Sequence, residues 1–211
     1  MDKDDYRNTT YCQKLEKINE KKLALKIKIR QDGHPRTENF YEIIRDHYKR
    51  DYLNIYNQKC SYCGVSVLTT GYHLFEIDHY KNKASYPTVA AAGEIDNLVL
   101  SCYTCNRGKS KLEIVDKYLD KLQPDNSGIR GFFYRDKDYS IKISDEYSKD
   151  TDIIKFYKSL KLDYEFRRID FLLLNMDGLY HKLKEGKLKT KIGELKGILK
   201  EKRALIYTTR E

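Results

Sequence analysis

The sequence predicts an α+β fold in which a small metal-stapled core is embedded in a mostly α-helical chain with one extra β-hairpin. Three observations lead to this prediction. Two Cys-x-x-Cys pairs, Cys60/Cys63 and Cys102/Cys105, can bind one metal ion together and so hold the two ends of the segment between them close to each other. On both sides of that segment, apolar residues recur at three- and four-residue steps, which is the period of a helix. Residues 132–143 (FFYRDKDYSIKI) instead show the alternation of two strands around a polar turn.

Length and composition suggest one domain, or one domain with a helical extension, because the chain has 211 residues. We expect residues 1–57 to form an N-terminal helical region, residues 58–123 the core, and residues 124–211 the hairpin, the C-terminal helices and a basic tail. Hydrophobic residues make up 40% and charged residues 35%, which permits a modest core under a polar surface. The formal net charge of +9 favours a polyanionic partner such as nucleic acid.

The cellular compartment affects how the cysteines are interpreted. No apolar run approaches the roughly 18 residues of a membrane span, and the acidic start MDKDDYRNTT does not resemble a secretory signal. We therefore expect a cytoplasmic protein, in which thiols stay reduced and paired cysteines bind metal sooner than they form disulfides. Cys12 stands alone and is predicted to be a small buried or half-buried side chain.

Two helices are predicted before the core. Residues 12–33 begin with helical periodicity, although their second half also alternates like a strand, and the helix should stop at Asp32-Gly33. Thr37 can cap a firmer helix over residues 38–57. The side chains predicted to face inward are Leu15, Ile18, Leu25 and Ile29 in the first helix, and Phe40, Ile44, Tyr48 and Ile55 in the second.

Two short strands and a helix are predicted within the core. Residues 72–78 (YHLFEID) and 95–102 (IDNLVLSC) are the strands, and the helix is expected from Asn106 to a point before Pro124. Its predicted inner face comprises Leu112, Val115, Leu119 and Leu122.

Two helices and a final basic helix are predicted after the hairpin. The second of them has one apolar stripe, which comprises Phe166, Ile169, Leu173, Met176, Tyr180 and Leu183. The last segment, residues 186–203, should turn one face inward, with Leu188, Ile192, Leu195 and Leu199 on it. Residues 180–210 hold ten Lys or Arg and three Glu, an excess of seven positive charges. This basic helix is either a solvated amphipathic helix or a contact for nucleic acid or a partner.

The two cysteine pairs predict a structural zinc site, because four thiolates can surround one ion as a tetrahedron. The alternative of two redox dithiols would require a thioredoxin-like βαβ context, which is not found. The 38 residues between Cys63 and Cys102 exceed the spacing of simple zinc modules, so a further element is inserted between the pairs.

The inserted segment carries adjacent acid and imidazole groups, Asp78 and His79, in the stretch EIDHYKNK. In isolation such a pair is usually an ordinary strand-end ion pair. Here it lies between the two cysteine pairs, Asn97 precedes the second pair, and Asn106 follows it directly.

This combination resembles the HNH endonucleases with a ββα-metal core. The matching stretches are Cys60-Ser-Tyr-Cys63, IDHY, DNLVLSC and CYTCNRGKS, over roughly residues 59–111. The third signature position is Asn106 in place of histidine, a variant that the family also uses. More loosely, the tyrosine-rich helix, the core, FFYRDKDYSIKI and IDFLLLNMDGLYHKL resemble in their order the nuclease subunit of Septu-type bacterial anti-phage systems, which works beside an ATPase.

The resemblance implies a metal-dependent endonuclease that hydrolyses DNA, with RNA left open as a substrate. Phosphodiester hydrolysis needs a nucleophilic water, a Lewis acid on the phosphate and stabilisation of the leaving oxygen. His79 would accept the proton of the water, since an ordinary histidine is largely neutral at working pH. The family implies that Asp78 and Asn106 bind a catalytic Mg²⁺ or Mn²⁺, while Asn97 holds the loop that carries His79.

Basic residues flank the proposed site on both sides and would bind phosphates next to the scissile bond. They are Lys81, Lys83, Arg107, Lys109 and Lys111. The remaining histidines lack a partner pattern and are interpreted as structural. Two other functions stay open at this point: a non-catalytic zinc module that binds nucleic acid, and an adaptor that docks on a partner.

Overall fold

The computed structural model of the protein describes residues 4–34, 39–110 and 112–208. The predicted cap Thr37 and the predicted phosphate contact Lys111 lie outside these residues. The chain is 57% helical with two small two-stranded sheets in its described part, which confirms the predicted α+β class. No described helix combines the length and the apolar composition that a membrane span requires.

The elements expected from the sequence are found in the expected order except for the helix after Asn106, and additional short helices lie between them. The helices are α1 (Ile18–Gln31), α2 (Phe40–Ile43), α3 (Lys49–Ile55), α4 (Val67–Thr70), α5 (Val89–Ala92), α6 (Tyr103–Lys109), α7 (Asp116–Leu119), α8 (Thr151–Ser159), α9 (Glu165–Lys182) and α10 (Lys187–Thr208). The strands are β1 (Phe75–His79), β2 (Leu98–Cys102), β3 (Phe133–Arg135) and β4 (Ile141–Ile143).

The N-terminal helices form as predicted, with one irregularity. Helix α1 begins at Ile18 and ends at Gln31, one residue before the predicted stop. Helices α2 and α3 are joined by a π-helical turn over Ile44–Tyr48, so that residues 40–55 are helical throughout. All eight side chains predicted to face inward are buried, which confirms both helical periodicities.

The core consists of β1, β2 and α6. The two strands pair antiparallel, with Phe75 opposite Cys102 and His79 opposite Leu98. All five residues of β2 are buried, so this strand lies inside the protein. Helix α6 begins directly after β2, at Tyr103, and this places the second cysteine pair at the junction of strand and helix.

The predicted helix from Asn106 to Pro124 is wrong. Helix α6 starts three residues earlier and ends at Lys109, and only the short helix α7 follows. Val115, predicted to face inward, is extended and 38% exposed, whereas Tyr118 and Leu122 are buried. The extended backbone suits the β-branched Ile114-Val115 pair, and it lets the chain redirect Tyr118 into the core.

The C-terminal region contains the predicted hairpin, formed by β3 and β4, followed by α8 and α9. The first half of the predicted α9 stripe is buried, and the second half is half-buried. Helix α10 packs along α9, but its predicted inner face is only half right, because Leu188 and Leu195 are 58% and 40% exposed. Lys196 and Arg203 occupy the inner side instead, since each forms an ion pair with an α9 carboxylate.

Candidate metal centre and adjoining polar site

The four cysteines of the two pairs come together in a buried cluster. The ligand sulfurs of Cys60, Cys63, Cys102 and Cys105 all lie within 4.8 Å of one another. The Sγ atoms of Cys63 and Cys102 are 3.8 Å apart. Zinc–sulfur bonds of about 2.3 Å in a tetrahedron require sulfur–sulfur edges of about 3.8 Å. The donor set therefore fits zinc, and the prediction that both pairs share one site is confirmed.

The turn between Cys60 and Val65 positions the first cysteine pair. The amide of Cys60 donates to the carbonyl of Val65, and the amide of Gly64 donates to the carbonyl of Cys60. Gly64 has φ of +76°, and a Cβ there would lie 2.3 Å from the carbonyl oxygen of Arg7. Only glycine fits this position, because it tolerates both the left-handed conformation and the close approach.

Asp78 lies on β1 opposite Val99 and is 7% exposed. The Tyr62 hydroxyl donates to its Oδ2 atom at 2.9 Å, and the Lys109 ammonium lies 3.3 Å from its Oδ1 atom. Burial raises the pKa of Asp78 to about 6, although Lys109 and Tyr62 both favour the charged form. With a pKa of about 6 this carboxyl is still largely ionised at neutral pH, but it takes up a proton at a higher pH than an ordinary aspartate does.

His79 is the last residue of β1 and is 9% exposed. Its ring lies 4.7 Å, centroid to centroid, from the ring of Tyr41. Burial lowers the pKa of His79 to about 4, and the neighbouring charges of Lys83 and Lys109 act in the same direction. The imidazole is therefore neutral at neutral pH and has a nitrogen lone pair with which to accept a proton.

Asp78 and His79 are adjacent on a paired strand, where successive side chains point to opposite faces. Lys109 links the two. Its ammonium is buried, donates to the His79 carbonyl at 2.8 Å and to the Tyr80 carbonyl at 3.1 Å, and also pairs with Asp78. This corrects the prediction that Lys109 contacts phosphate, because its donors are directed inward to the end of β1.

Asn97 lies beside the loop that follows His79. Its Oδ1 atom accepts from the Lys81 amide at 2.8 Å, and its Nδ2 atom donates to the Lys81 carbonyl at 3.2 Å and to the Ala92 carbonyl at 2.8 Å. The Tyr80 amide donates to the carbonyl of Asn97 at 2.7 Å. Three of these four hydrogen bonds involve Tyr80 and Lys81 and fix the direction of the chain directly after His79. The fourth joins Asn97 to Ala92.

Asn106 lies in α6, one residue after Cys105. Its Nδ2 atom donates to the carboxylate of Glu76, which also lies 3.4 Å from the guanidinium of Arg107. Glu76 precedes Asp78 by two residues on β1, so the two carboxylates share one face of the strand. Asn106 therefore reaches that face through Glu76.

In the described part of the chain, one group of three or more His, Cys, Asp or Glu side chains is close enough to share an ion, and it consists of the four cysteines. The carboxylates of β1 do not form a second such group. A hard divalent cation here would thus take one or two protein oxygens and complete its shell with water and phosphate, as Mg²⁺ commonly does.

Three of the flanking basic residues lie near the surface. Lys81 is half-buried, while Lys83 and Arg107 are exposed. The ammonium of Lys83 lies 4.9 Å from the Tyr41 ring centroid, on the ring that also contacts His79. Lys83 therefore lies near the imidazole, whereas Arg107 lies beside the carboxylate of Glu76.

Sequence reasoning missed three residues of the site. Tyr62 lies inside the first Cys-x-x-Cys pair, a place where only the cysteines had been considered. Glu76 could have been found from the sequence, since a residue two positions before Asp78 in a strand lies on the same face. No sequence pattern pointed to Tyr41, because its contact with His79 joins residues that are 38 positions apart.

Residues 60–112 match the family model described as HNH endonuclease. This segment is about a quarter of the chain. It spans all four cysteines together with Asp78, His79, Asn97 and Asn106, so the metal centre and the polar site belong to one HNH segment. No curated protein and no solved structure matches the chain significantly.

Within the HNH segment, β1, β2 and α6 follow one another in that order. One cysteine pair precedes β1, and the other lies at the junction of β2 and α6. Metal-dependent nuclease activity is what the family suggests for such a segment.

Proposed function

We propose that the protein is a metal-dependent endonuclease that hydrolyses phosphodiester bonds in DNA. The observation that carries this proposal is the match of residues 60–112 to the HNH endonuclease family, within which Asp78 and His79 are adjacent, buried residues at the end of β1. A non-catalytic zinc module needs neither group at this position.

His79 accepts the proton of the attacking water in this proposal. Its imidazole is unprotonated at neutral pH, which is the form that a general base requires. Asn97 fixes the backbone after His79 and so limits the positions that the ring can take.

The oxygens of Asp78 and Asn106 would hold the catalytic Mg²⁺ or Mn²⁺, with Glu76 as a further oxygen donor on the same strand face as Asp78. A carboxylate has about four lone-pair positions, so the contacts of Asp78 with Tyr62 and Lys109 leave room for an ion. When bound, such an ion polarises the phosphate and stabilises the charge that develops on the leaving oxygen. Oxygen donors of this type suit both cations.

DNA is the substrate that we favour, on the resemblance and on the positive net charge. Lys81, Lys83 and Arg107 would contact phosphates on either side of the scissile bond and fix the register of the strand without reading bases. RNA cleavage is the other outcome that a substrate panel would detect.

The test is plasmid cleavage by the full chain, with zinc content verified in each sample. Wild type, His79→Ala and the matched variant His73→Ala are incubated with supercoiled DNA and Mg²⁺ or Mn²⁺, and then with EDTA. His73 is an exposed histidine in the same segment. We expect cleavage by wild type and His73→Ala that needs added metal, and none by His79→Ala. Equal cleavage by His79→Ala would remove the histidine from the mechanism.

A second proposal concerns regulation. We propose that the nuclease acts beside a partner, and a zinc module that binds nucleic acid without cutting is the alternative. The resemblance to Septu-type systems supports an ATPase as that partner and an anti-phage role. Co-expression with such an ATPase should give a stable complex and activate cleavage. Binding of DNA without cleavage in every combination would favour the non-catalytic module.

A further inference from the structure

Arg167, on α9, directs its guanidinium into the cysteine cluster. Its Nη1 atom lies 2.8 Å from Sγ of Cys63 and 3.6 Å from Sγ of Cys102, and its Nη2 atom lies 3.1 Å from Sγ of Cys105. The residue is 3% exposed. One arginine thus contacts three of the four sulfurs from a helix that lies outside the HNH segment.

The other donors of this guanidinium bind backbone carbonyls. Nη2 donates to Leu160 at 3.0 Å, and Nε donates to Lys161 at 3.2 Å. The Phe166 ring lies 4.7 Å from the guanidinium carbon. The side chain is therefore held from several sides, and its orientation towards the sulfurs is fixed.

The charge of Arg167 has no ordinary counter-ion. Among the described residues, no carboxylate lies within ion-pair distance of its guanidinium. Arginine keeps its charge in proteins, and a buried charge without compensation strongly destabilises a fold. The sulfurs are the groups in contact that can supply negative charge, and they do so only as thiolates.

Zinc with four thiolates carries a net charge of −2, since four negative sulfurs surround one divalent ion. A buried cation against three of those sulfurs reduces this excess, and its N–H groups are donors to the thiolate lone pairs. The two requirements are complementary: the metal centre needs positive charge nearby, and Arg167 needs negative charge.

We propose that Arg167 is a positioning residue of the metal centre, which offsets the charge of the thiolates and couples α9 to the zinc core. The coupling continues to α10. One turn after Arg167, the buried Asp170 accepts from Nε of Arg203 on α10. The basic helix α10 is thereby connected to the metal centre through Arg203, Asp170 and Arg167. This proposal does not depend on nuclease activity.

The test compares Arg167→Met, Arg167→Lys and the matched control Arg168→Met in the full chain. Arg168 is the next residue on the same helix and pairs with Glu165 at the surface of α9. Zinc affinity is measured by competition with a chelator of known affinity, and the absorption of the cobalt(II)-substituted protein is recorded. Circular dichroism establishes that each variant is folded.

We expect Arg167→Met to bind zinc about 10- to 100-fold more weakly, the usual effect of losing a partner of a metal ligand. Its thiolate-to-cobalt charge-transfer bands should move to longer wavelength, because the sulfurs lose hydrogen-bond donors. A merely structural role would not move these bands. Arg167→Lys should show a smaller loss and a smaller shift, and Arg168→Met should match wild type.

Zinc affinity within about twofold of wild type, together with unchanged cobalt bands in Arg167→Met, would overturn the proposal. If Arg167→Met does not fold, Arg167→Lys decides, since it keeps the charge but not the forked donors. A shifted cobalt spectrum in Arg167→Lys supports the proposal, and an unshifted one refutes it.

Discussion

The hydroxyl of Tyr62 donates to Oδ2 of Asp78 at 2.9 Å, which joins the first cysteine pair to the carboxylate of β1. Tyr62 is fully buried and lies between Cys60 and Cys63. The cysteine turn therefore has two functions in the fold: it supplies two of the four sulfurs of the metal centre, and the tyrosine between them orients the carboxylate proposed to bind the catalytic cation.

Tyr62→Phe should lower cleavage while leaving zinc bound. Hydrogen bonds to charged groups contribute about 1.5–3 kcal/mol, so the orientation of Asp78 should loosen and the rate should fall about tenfold or more. Cleavage rate and zinc content are measured together. Tyr157→Phe is the control, since Tyr157 is also buried but donates to the distant Ile141 carbonyl. Wild-type rates for both variants would show that this hydrogen bond is dispensable.

Cys105→Ser should lose zinc and unfold the core, because binding of a structural metal is coupled to folding. Zinc stoichiometry and circular dichroism report the outcome. The control is Cys12→Ser, in which a half-buried cysteine outside the cluster is replaced. Cys105→Ser protein that retains full structure without zinc would contradict the scaffold role of the metal.

Lys109→Met should destabilise the protein by about 3 kcal/mol, because Asp78 would stay buried without its cation. The loss should lie at the low end of the usual range, since Asp78 already titrates near 6 and can take up a proton. Urea denaturation measures the change. Lys81→Met, at a half-buried lysine, should change stability by about 0.5 kcal/mol or less. Similar values for the two variants would argue that the buried pair contributes little.

The pH dependence of activity should reflect Asp78 at low metal concentration. Its pKa is raised to about 6, so below that pH the carboxyl is protonated and loses the charge that binds a cation. Apparent metal affinity should thus fall as the pH drops through about 6. At saturating metal the acid limb should move lower, because His79, with a pKa near 4, stays neutral there. An inflection near 6.5 that does not move with metal concentration would instead indicate an ordinary histidine.

Lys83→Ala and Arg107→Ala should each reduce the salt dependence of DNA binding by about one phosphate contact. Binding is measured in the His79→Ala background, so that cleavage does not interfere. Lys142→Ala serves as the control, since this exposed lysine pairs with Asp136 in the β3–β4 hairpin, outside the HNH segment. An unchanged salt slope in Lys83→Ala and Arg107→Ala would place the phosphate contacts elsewhere.

Local patterns were sufficient for much of the fold. The inner faces of α1 and of residues 40–55 were readable because the apolar residues from Ile18 onward and from Phe40 to Ile55 recur along helical backbone. Leu15 is buried although it precedes α1. The hairpin was readable from alternation around a turn. The helix expected after Asn106 was wrong because α6 ends at Lys109 and the backbone is extended at the β-branched Ile114-Val115 pair. The α10 face failed for a different reason, since ion pairs with α9 determine which side of that helix is covered.

The sequence by itself predicted the four zinc-type ligands and the strands β1 and β2, and its resemblance to the HNH endonucleases pointed to Asp78, His79, Asn97 and Asn106. These features follow from residue type and spacing, which a single stretch of chain carries. The tertiary structure alone decided that Lys109 points inward, that Tyr62 binds Asp78, and that Arg167 reaches the cysteines from 62 residues beyond the last of them. Each of these contacts joins segments distant in sequence, and its strength depends on burial, which no local pattern records.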